Sequence, residues 1–310
     1  MNKKHYTDYS EYLSRHFDCK VQKISLNAGF TCPNRDGSKG VGGCTYCNNQ
    51  TFSPAYCKPK LTVQEQLAEG KRFFGKKYPS MKYMAYFQSY TNTYGDIADL
   101  QRLYECALEA DGVVGIVIAT RPDCVTRELL EYLGELGQRT KVIVEYGVET
   151  ANDKTLELVN RGHSWADSVK AIAMTHDCGV DCGAHLILGL PDETEDDMMR
   201  TVDAVAELPL STLKFHQMQV VRGTKLAKQV ELGEVCIAQW TAAQYIELCA
   251  KVIERVPRRM VIERFVSQSP AELLISPKWG LKNYEFTNLL DNYLEANGVF
   301  QGSKCKWSDD

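Results

Sequence analysis

The sequence predicts an α/β fold: a partial, TIM-like (β/α)6 barrel with a small C-terminal extension. Three observations carry this. Short apolar runs alternate with amphipathic helical stretches through the first 255 residues, six strand candidates are fewer than the eight of a closed barrel, and the pattern changes after Val256-Pro257. Such alternation implies parallel pairing with right-handed crossovers, which places ligand sites at the carboxyl ends of the strands.

The strand candidates are Val21–Leu26, Tyr83–Phe87, Val113–Ile118, Val142–Tyr146, Ala184–Leu190 and Leu213–Val221. Helix starts separate them. Thr62-Val63-Gln64-Glu65 reads as a capping box followed by Val63, Leu67 and Phe74 on one face. Asp96, Thr126, Ser164 and Thr194 are N-cap residues, each followed by apolar residues at helical spacing. Beyond residue 255, Met260–Phe265 reads as a further strand, Ser276–Gly280 as an ordered turn and Glu285–Glu295 as a helix. Residues 1–255 are therefore expected to form the barrel, with a loop at 28–61, and residues 256–310 the extension.

Composition bounds the function. An apolar fraction of 44% and a charged fraction of 25% belong to a soluble globular chain and exclude a fibrous or wholly disordered one. No run of 18 apolar residues exists, so no transmembrane helix is expected, and the N-terminus lacks a secretory signal pattern. A cytoplasmic protein without a membrane partner follows as the expectation. Its 12 cysteines are then reduced thiols, some binding metal, rather than a disulfide framework. The net charge of −4 is uneven: residues 1–90 hold 14 Lys/Arg against 6 Asp/Glu, and residues 91–255 hold 15 against 27. The basic first third suits a polyanion such as RNA, or is a solvated surface. Nothing points to DNA.

The stretch from Asn27 to Leu61 lacks helical or strand periodicity and holds five Gly, three Pro and four Cys. So long a loop needs something to organise it, and a metal centre would do so. Cys32, Cys44 and Cys47 follow the spacing C-x11-C-x2-C. Four readings compete. A structural zinc site wants a fourth ligand, for which Cys57 is available. An iron–sulfur cluster with every iron protein-bound also wants four. A [4Fe–4S] cluster with three protein ligands leaves one iron open for catalysis. Buried free thiols are the remaining reading, and core cysteines do not need a Gly-rich wrapping.

The chain resembles the radical S-adenosylmethionine (SAM) superfamily, in particular the elongator-catalytic-subunit-like branch and its bacterial YhcC/YtqA-like proteins. The likeness covers nearly the whole chain. It rests on ordered segments: Gly29–Cys47, Tyr86–Thr93, Thr120–Asp123, Glu145–Thr150, Asn160–His163, Ala184–Thr194 and Leu213–Thr224. It implies one [4Fe–4S] cluster on Cys32, Cys44 and Cys47, with SAM at the open iron and a partial six-unit barrel around them. It also implies an external one-electron donor such as flavodoxin or ferredoxin.

The same likeness assigns cofactor-binding positions. Tyr46 would pack near the adenine. Gln88 stands where many members carry a Gly-Gly-Glu motif meeting the cofactor's amino group. Glu149 and Arg161 would contact its methionine and ribose parts, or pair only with each other. His185, a strand histidine, is a cofactor-site or a core residue. Gly189 would let backbone approach the adenine. Lys214 and His216 share one face of the sixth strand, where they orient substrate or move protons, unless they merely pair with a carboxylate. The chain departs from the branch at Ala119, where Glu is usual before Thr-Arg-Pro-Asp, and no acetyltransferase-like domain is expected after residue 255.

Three functions remain. The first is a radical enzyme acting on tRNA, by analogy at the C5 substituent of the wobble uridine. Arg258, Arg259, Lys278 and Trp279 would add phosphate and stacking contacts. The second is a radical enzyme on a small metabolite or peptide. The third, a zinc-stabilised non-enzymatic RNA-binding protein, leaves the strand–helix repeat unexplained.

Overall fold

The computed structural model describes residues 4–51, 53–75, 78 and 80–306. Its strands are β1 (Val21–Leu26), β2 (Lys82–Phe87), β3 (Val113–Thr120), β4 (Lys141–Glu149), β5 (Asp181–Leu188), β6 (Thr212–Gln217), β7 (Val220–Val221), β8 (Val261–Arg264) and β9 (Leu274–Ser276). Its helices are α1 (Tyr9–Ser14), α2 (Val63–Gly75), α3 (Ile97–Leu108), α4 (Arg127–Leu136), α5 (Asp153–Leu158), α6 (Trp165–Asp177), α7 (Glu195–Ala206), α8 (Lys225–Glu231), α9 (Ala242–Arg255) and α10 (Asn283–Asn297). None is long and apolar enough to cross a membrane among the described residues.

One parallel sheet runs β1-β2-β3-β4-β5-β6-β8. The six expected strands are present, and the partial barrel is the observed architecture. β8, the strand read near 260–265, adds a seventh to the same sheet, so the sheet runs across the boundary expected at residue 255. The last expected strand, Leu213–Val221, divides in two. β6 ends at Gln217, and β7 turns away to pair antiparallel with β9. The Met218 N–H still bonds the Leu188 carbonyl at 2.8 Å, the last rung beside β5, before the chain turns into β7. The N-cap residues Asp96, Thr126, Ser164 and Thr194 all accept from the first turns of their helices. Helices α1, α8 and α9 were not anticipated.

Alternation along the strands sorts the side chains into two sets. Tyr83, Ala85, Phe87, Ile116, Ile118, Val144 and Phe215 point outward into the main core beneath the helices. Met84, Tyr86, Val117, Ala119 and Ile143 point inward, where Tyr12 and Leu13 of α1 close one end. The Tyr12 hydroxyl donates to Asp181 at the start of β5, over 3.1 Å, which fixes α1 at the end where strands begin. The opposite end is left for the Cys loop. Close packing outside is shown by Gly134 in α4, where an added Cβ would lie 2.3 Å from the Cys178 carbonyl oxygen at the end of α6.

The inward face also carries buried charges. Lys23 on β1 is 2.7 Å from Glu145 on β4 and 2.6 Å from Glu263 on β8. Lys214 on β6 is 2.9 Å from Glu145 and 3.2 Å from Glu263. His185 Nε2 on β5 lies 2.9 Å from Glu145. β1 and β8 are the two edges of the sheet, so the Lys23–Glu263 pair spans the interior and records its curl. Burial opposes ionisation of Glu145, but Lys214, Lys23 and His185 outweigh it and hold the carboxyl well below its usual range.

Two outcomes follow for stability. Gly134→Ala should cost about 1–3 kcal/mol in urea unfolding, because backbone must move to admit the methyl group. Glu145→Gln leaves two ammonium groups against one carboxylate and should cost about 3–5 kcal/mol at neutral pH. A carboxyl with a lowered folded-state pKa stabilises above its unfolded pKa, and that contribution fades on acidification. The native protein should therefore lose stability mainly below about pH 5, as pH falls through the ordinary carboxylate range toward the lowered folded-state value, and Glu145→Gln should lose less there. Equal losses would reject Glu145 as the hub.

Candidate active site

The Cys loop is held by the turn after β3 and by the segment after α5. Arg35 and Asp36 donate backbone N–H groups to the Cys32 carbonyl at 2.7 and 3.1 Å, which forms a tight turn after the first thiol. Gly42 and Gly43 take positive φ values of 81° and 71°, and a Cβ on Gly43 would meet the Arg35 side chain at 2.6 Å. Arg35 in turn donates to the Cys47 carbonyl at 2.8 Å. Asn34 donates to the Asn160 carbonyl at 2.6 Å, and Asn160 donates back to the carbonyls of Val41 and Gly43 at 3.0 and 2.8 Å. Arg121 bonds the Arg161 carbonyl at 2.8 Å and Asp123 at 2.9 Å. The segments Thr-Arg-Pro-Asp and Asn-Arg-Gly-His thus act as a clamp on the loop.

Cys44 is buried, and its sulfur faces Asn34 Nδ2 at 3.9 Å and Arg161 Nη1 at 3.7 Å. Burial pushes the Cys47 thiol up to about 11, with Cys44 and Cys32 adding to the rise, so the three sulfurs lie within one another's field. Cys57, which a zinc site would need, is buried beside Ser89. Among the described residues no three His, Cys, Asp or Glu side chains converge on a single ion. A cubane cluster takes one thiolate at each of three irons, so its ligands stand farther apart than those sharing one ion. Three thiols, two of them in a CxxC bite, with N–H donors aimed at Cys44, fit such a cluster.

A cavity of about 250 Å³ opens beside Cys44 and Cys47, under the carboxyl ends of the strands. Tyr46, Gln88, Glu149, Arg161, His185 and His216 all line it. Buried polar atoms without a hydrogen-bond partner lie on its wall: Arg161 Nε, His216 Nε2 and Arg264 Nε. Such atoms match a polar cofactor and not an apolar one. Glu149 sits at a register shift at the end of β4, with a positive φ of 70°, and reaches Arg161 Nη2 at 3.3 Å. Burial raises the Glu149 carboxyl, and Arg161 opposes the rise. Arg161 also donates to the Gly147 carbonyl at 2.5 Å, where a Cβ would collide with its guanidinium.

Six of the expected positions thus meet Cys44 and Cys47 in one cavity; Cys32, Gly189 and Lys214 are not among its lining residues. At Gly189, φ is 87°, and the space of the missing Cβ is taken by Trp240, whose ring atoms would be 2.7 Å away. Lys214 is committed to the ion network and lines a second, wider cavity. Burial lowers the pKa of His185 to about 4, helped by Lys214, so its ring is neutral against Glu145. Burial, Arg264 and His185 push His216 well below its usual value.

Sequence reasoning missed Asn34, Glu145 and Arg264. Asn34 lies inside the Cys loop and could have been flagged as a polar residue in a motif. Glu145 opens the quoted Glu145–Thr150 segment and alternates with Tyr146 on its strand. Arg264 had no signal, because its strand was set apart from the barrel.

Comparison with known proteins agrees with this geometry. The radical SAM superfamily model matches residues 31–205, and the radical SAM C-terminal domain model matches residues 210–296. An uncharacterised protein of Bacillus subtilis, YtqA, is 36% identical over 96% of this chain and 92% of its own length. A tRNA uridine(34) acetyltransferase of Methanocaldococcus jannaschii is 27% identical over 62% of this chain and 34% of its own. The solved structure of Methanocaldococcus infernus Elp3, lacking its N-terminus, superposes with a TM-score of 0.67 at 18% identity, covering 91% of this chain and 64% of that one, which speaks for the fold. The chain belongs to the radical SAM superfamily, whose enzymes use a [4Fe–4S] cluster and S-adenosylmethionine.

Proposed function

We propose that this enzyme uses a 5′-deoxyadenosyl radical to modify tRNA in the cytoplasm, at the C5 substituent of the wobble uridine, with electrons from a flavodoxin or ferredoxin. The observation that carries this reading is the continuity of two cavities. The cofactor cavity shares Tyr86, Gln88, Arg264, Ser267 and Gln268 with a lateral cavity of about 930 Å³. That space opens between the edge strands β1 and β8 and is wide enough for a nucleoside to reach the cofactor from the side. The similarity to the tRNA uridine(34) acetyltransferase supports the choice of substrate.

Each residue then has a part. Cys32, Cys44 and Cys47 would hold the cluster, which when bound would supply the electron for reductive cleavage of SAM to methionine and a 5′-deoxyadenosyl radical. Tyr46 offers an aromatic face to the adenine. Arg161, fixed by Gly147 and Glu149, keeps a positive charge beside Cys44. Gln88 and His185 supply polar contacts on the opposite wall. His216 is neutral and offers its unpartnered Nε2. Lys214 keeps the lumen shaped through Glu145 and Glu263. The exposed Lys58 and Lys60 follow Tyr56 at the lateral mouth, and exposed Arg222 follows Val221 at the inner one, where phosphates would meet them.

Cluster-loaded protein with dithionite and SAM should form 5′-deoxyadenosine faster when given tRNA from cells lacking this gene than when given tRNA from cells that have it. Raising salt from about 50 to 200 mM should reduce the stimulation steeply. Cys44→Ala should form none. No stimulation by either tRNA at low salt, with 5′-deoxyadenosine still produced, would set the tRNA reading aside in favour of a small substrate.

A further inference from the structure

Arg264 stands at the neck between the two cavities and lines both. Simple alternation would turn it outward with Ile262, which packs in the outer core. A register shift prevents this: Leu213 pairs with Ile262, but Lys214 pairs with Arg264, so Glu263 is the extra residue. A bulge of this kind re-aims side chains. Both Glu263 and Arg264 therefore reach the lumen.

The charges there do not cancel. Glu145 and Glu263 are matched by Lys23 and Lys214 at 2.6 to 3.2 Å. His185 and His216 are neutral, and Glu149 belongs to Arg161. Arg264 alone is left over. Among the described residues it makes no ion pair, and its buried Nε has no hydrogen-bond partner. His216, which lines the same cofactor cavity, also has a buried and unpartnered Nε2. The half-buried guanidinium has no counter-charge of its own, and an anion filling the neck would supply one.

We propose that Arg264 is the receptor for an oxyanion carried by the substrate, a carboxylate or a phosphate, which docks at the neck and holds the reacting carbon toward the cofactor. The guanidinium fork suits both anions by paired N–H donors. This rests on the substrate-cleft reading above and narrows it to substrates with an anionic group near the reacting carbon. SAM has a carboxylate of its own, so the test must separate the two.

The test uses cluster-loaded protein under anaerobic conditions with saturating SAM, and reads binding by calorimetry and by Tm. Acetate and inorganic phosphate are the probes, against chloride at equal ionic strength. At least one should bind and raise Tm with SAM already present; acetate alone would mark a carboxylate, and phosphate alone a phosphate. Arg264→Met should weaken that binding about ten- to hundredfold, as for loss of a charged hydrogen-bond partner. Its Tm without probe should not fall, since it removes an unpaired charge near Lys214. Arg264→Lys, which keeps the charge and loses the fork, should bind with intermediate strength and covers the case of a Met variant that fails to fold. No binding of either probe, equal binding by Arg264→Met, or a probe that SAM displaces would overturn the proposal. None of these readings needs turnover, so they stand apart from whether tRNA is the substrate.

Discussion

The ion network centred on Glu145 is the constraint on which the rest of the molecule depends. A sheet of seven parallel strands that does not close has two free edges, and free edges invite unwanted pairing. Here the edges β1 and β8 are tied through the interior by Lys23 and Glu263, 2.6 Å apart. Lys214 and Glu145 lie in the same network. Five strands contribute to it. Apolar residues in these places would fill the lumen; charged ones leave it polar and open on one side. Buried pairs of this sort rarely add net stability over a well-packed apolar core. Their value here is geometric, because they set how far the sheet curls while leaving a lateral gap.

The Cys loop depends on that geometry. Its three thiols are presented by a backbone that has little regular structure of its own. The ordering comes from reciprocal side-chain to backbone bonds between Asn34 and Asn160, and from Arg121 and Arg161, which project from the ends of neighbouring units. Each such bond is worth about 0.5–1.5 kcal/mol net, more where a guanidinium donates. Several together offset the entropy of fixing so long a connection. The clamp sits on the turn after β3 and the segment after α5, so the loop is positioned only when those units are.

Much of this was legible in the sequence, and the limits are physical. Strands and caps are local: Thr62, Asp96, Thr126, Ser164 and Thr194 carry their own hydrogen-bond logic within four residues. The thiol spacing is local too, as is the sharing of one face by Lys214 and His216. Which partner Lys214 meets is not local. Glu145 and Glu263 come from distant strands, and neither spacing nor composition reveals the pairing. β8 was recognised as a strand, but four residues carry no sign of which sheet they join. Gly189 shows the same limit: its positive φ serves the close approach of Trp240, fifty-one residues on.

Register shifts explain why the site residues were the hardest to place. Glu149 and Arg264 both lie at shifts near strand ends, on β4 and β8. A bulge leaves one residue unpaired, so the residue beyond it changes face. Alternation read from sequence fails at Arg264, which the shift turns into the lumen, whereas Glu149 keeps the parity of Glu145. The break that hides Arg264 from pattern reading is what frees it to point at a ligand. Residues that obey alternation, such as Phe215 and Ile262, serve the core; those that break it are released from packing. In this fold the irregular strand ends and the open edge are therefore parts of one device: the network sets the curl, the curl sets the gap, and the shifted residues line what the gap admits.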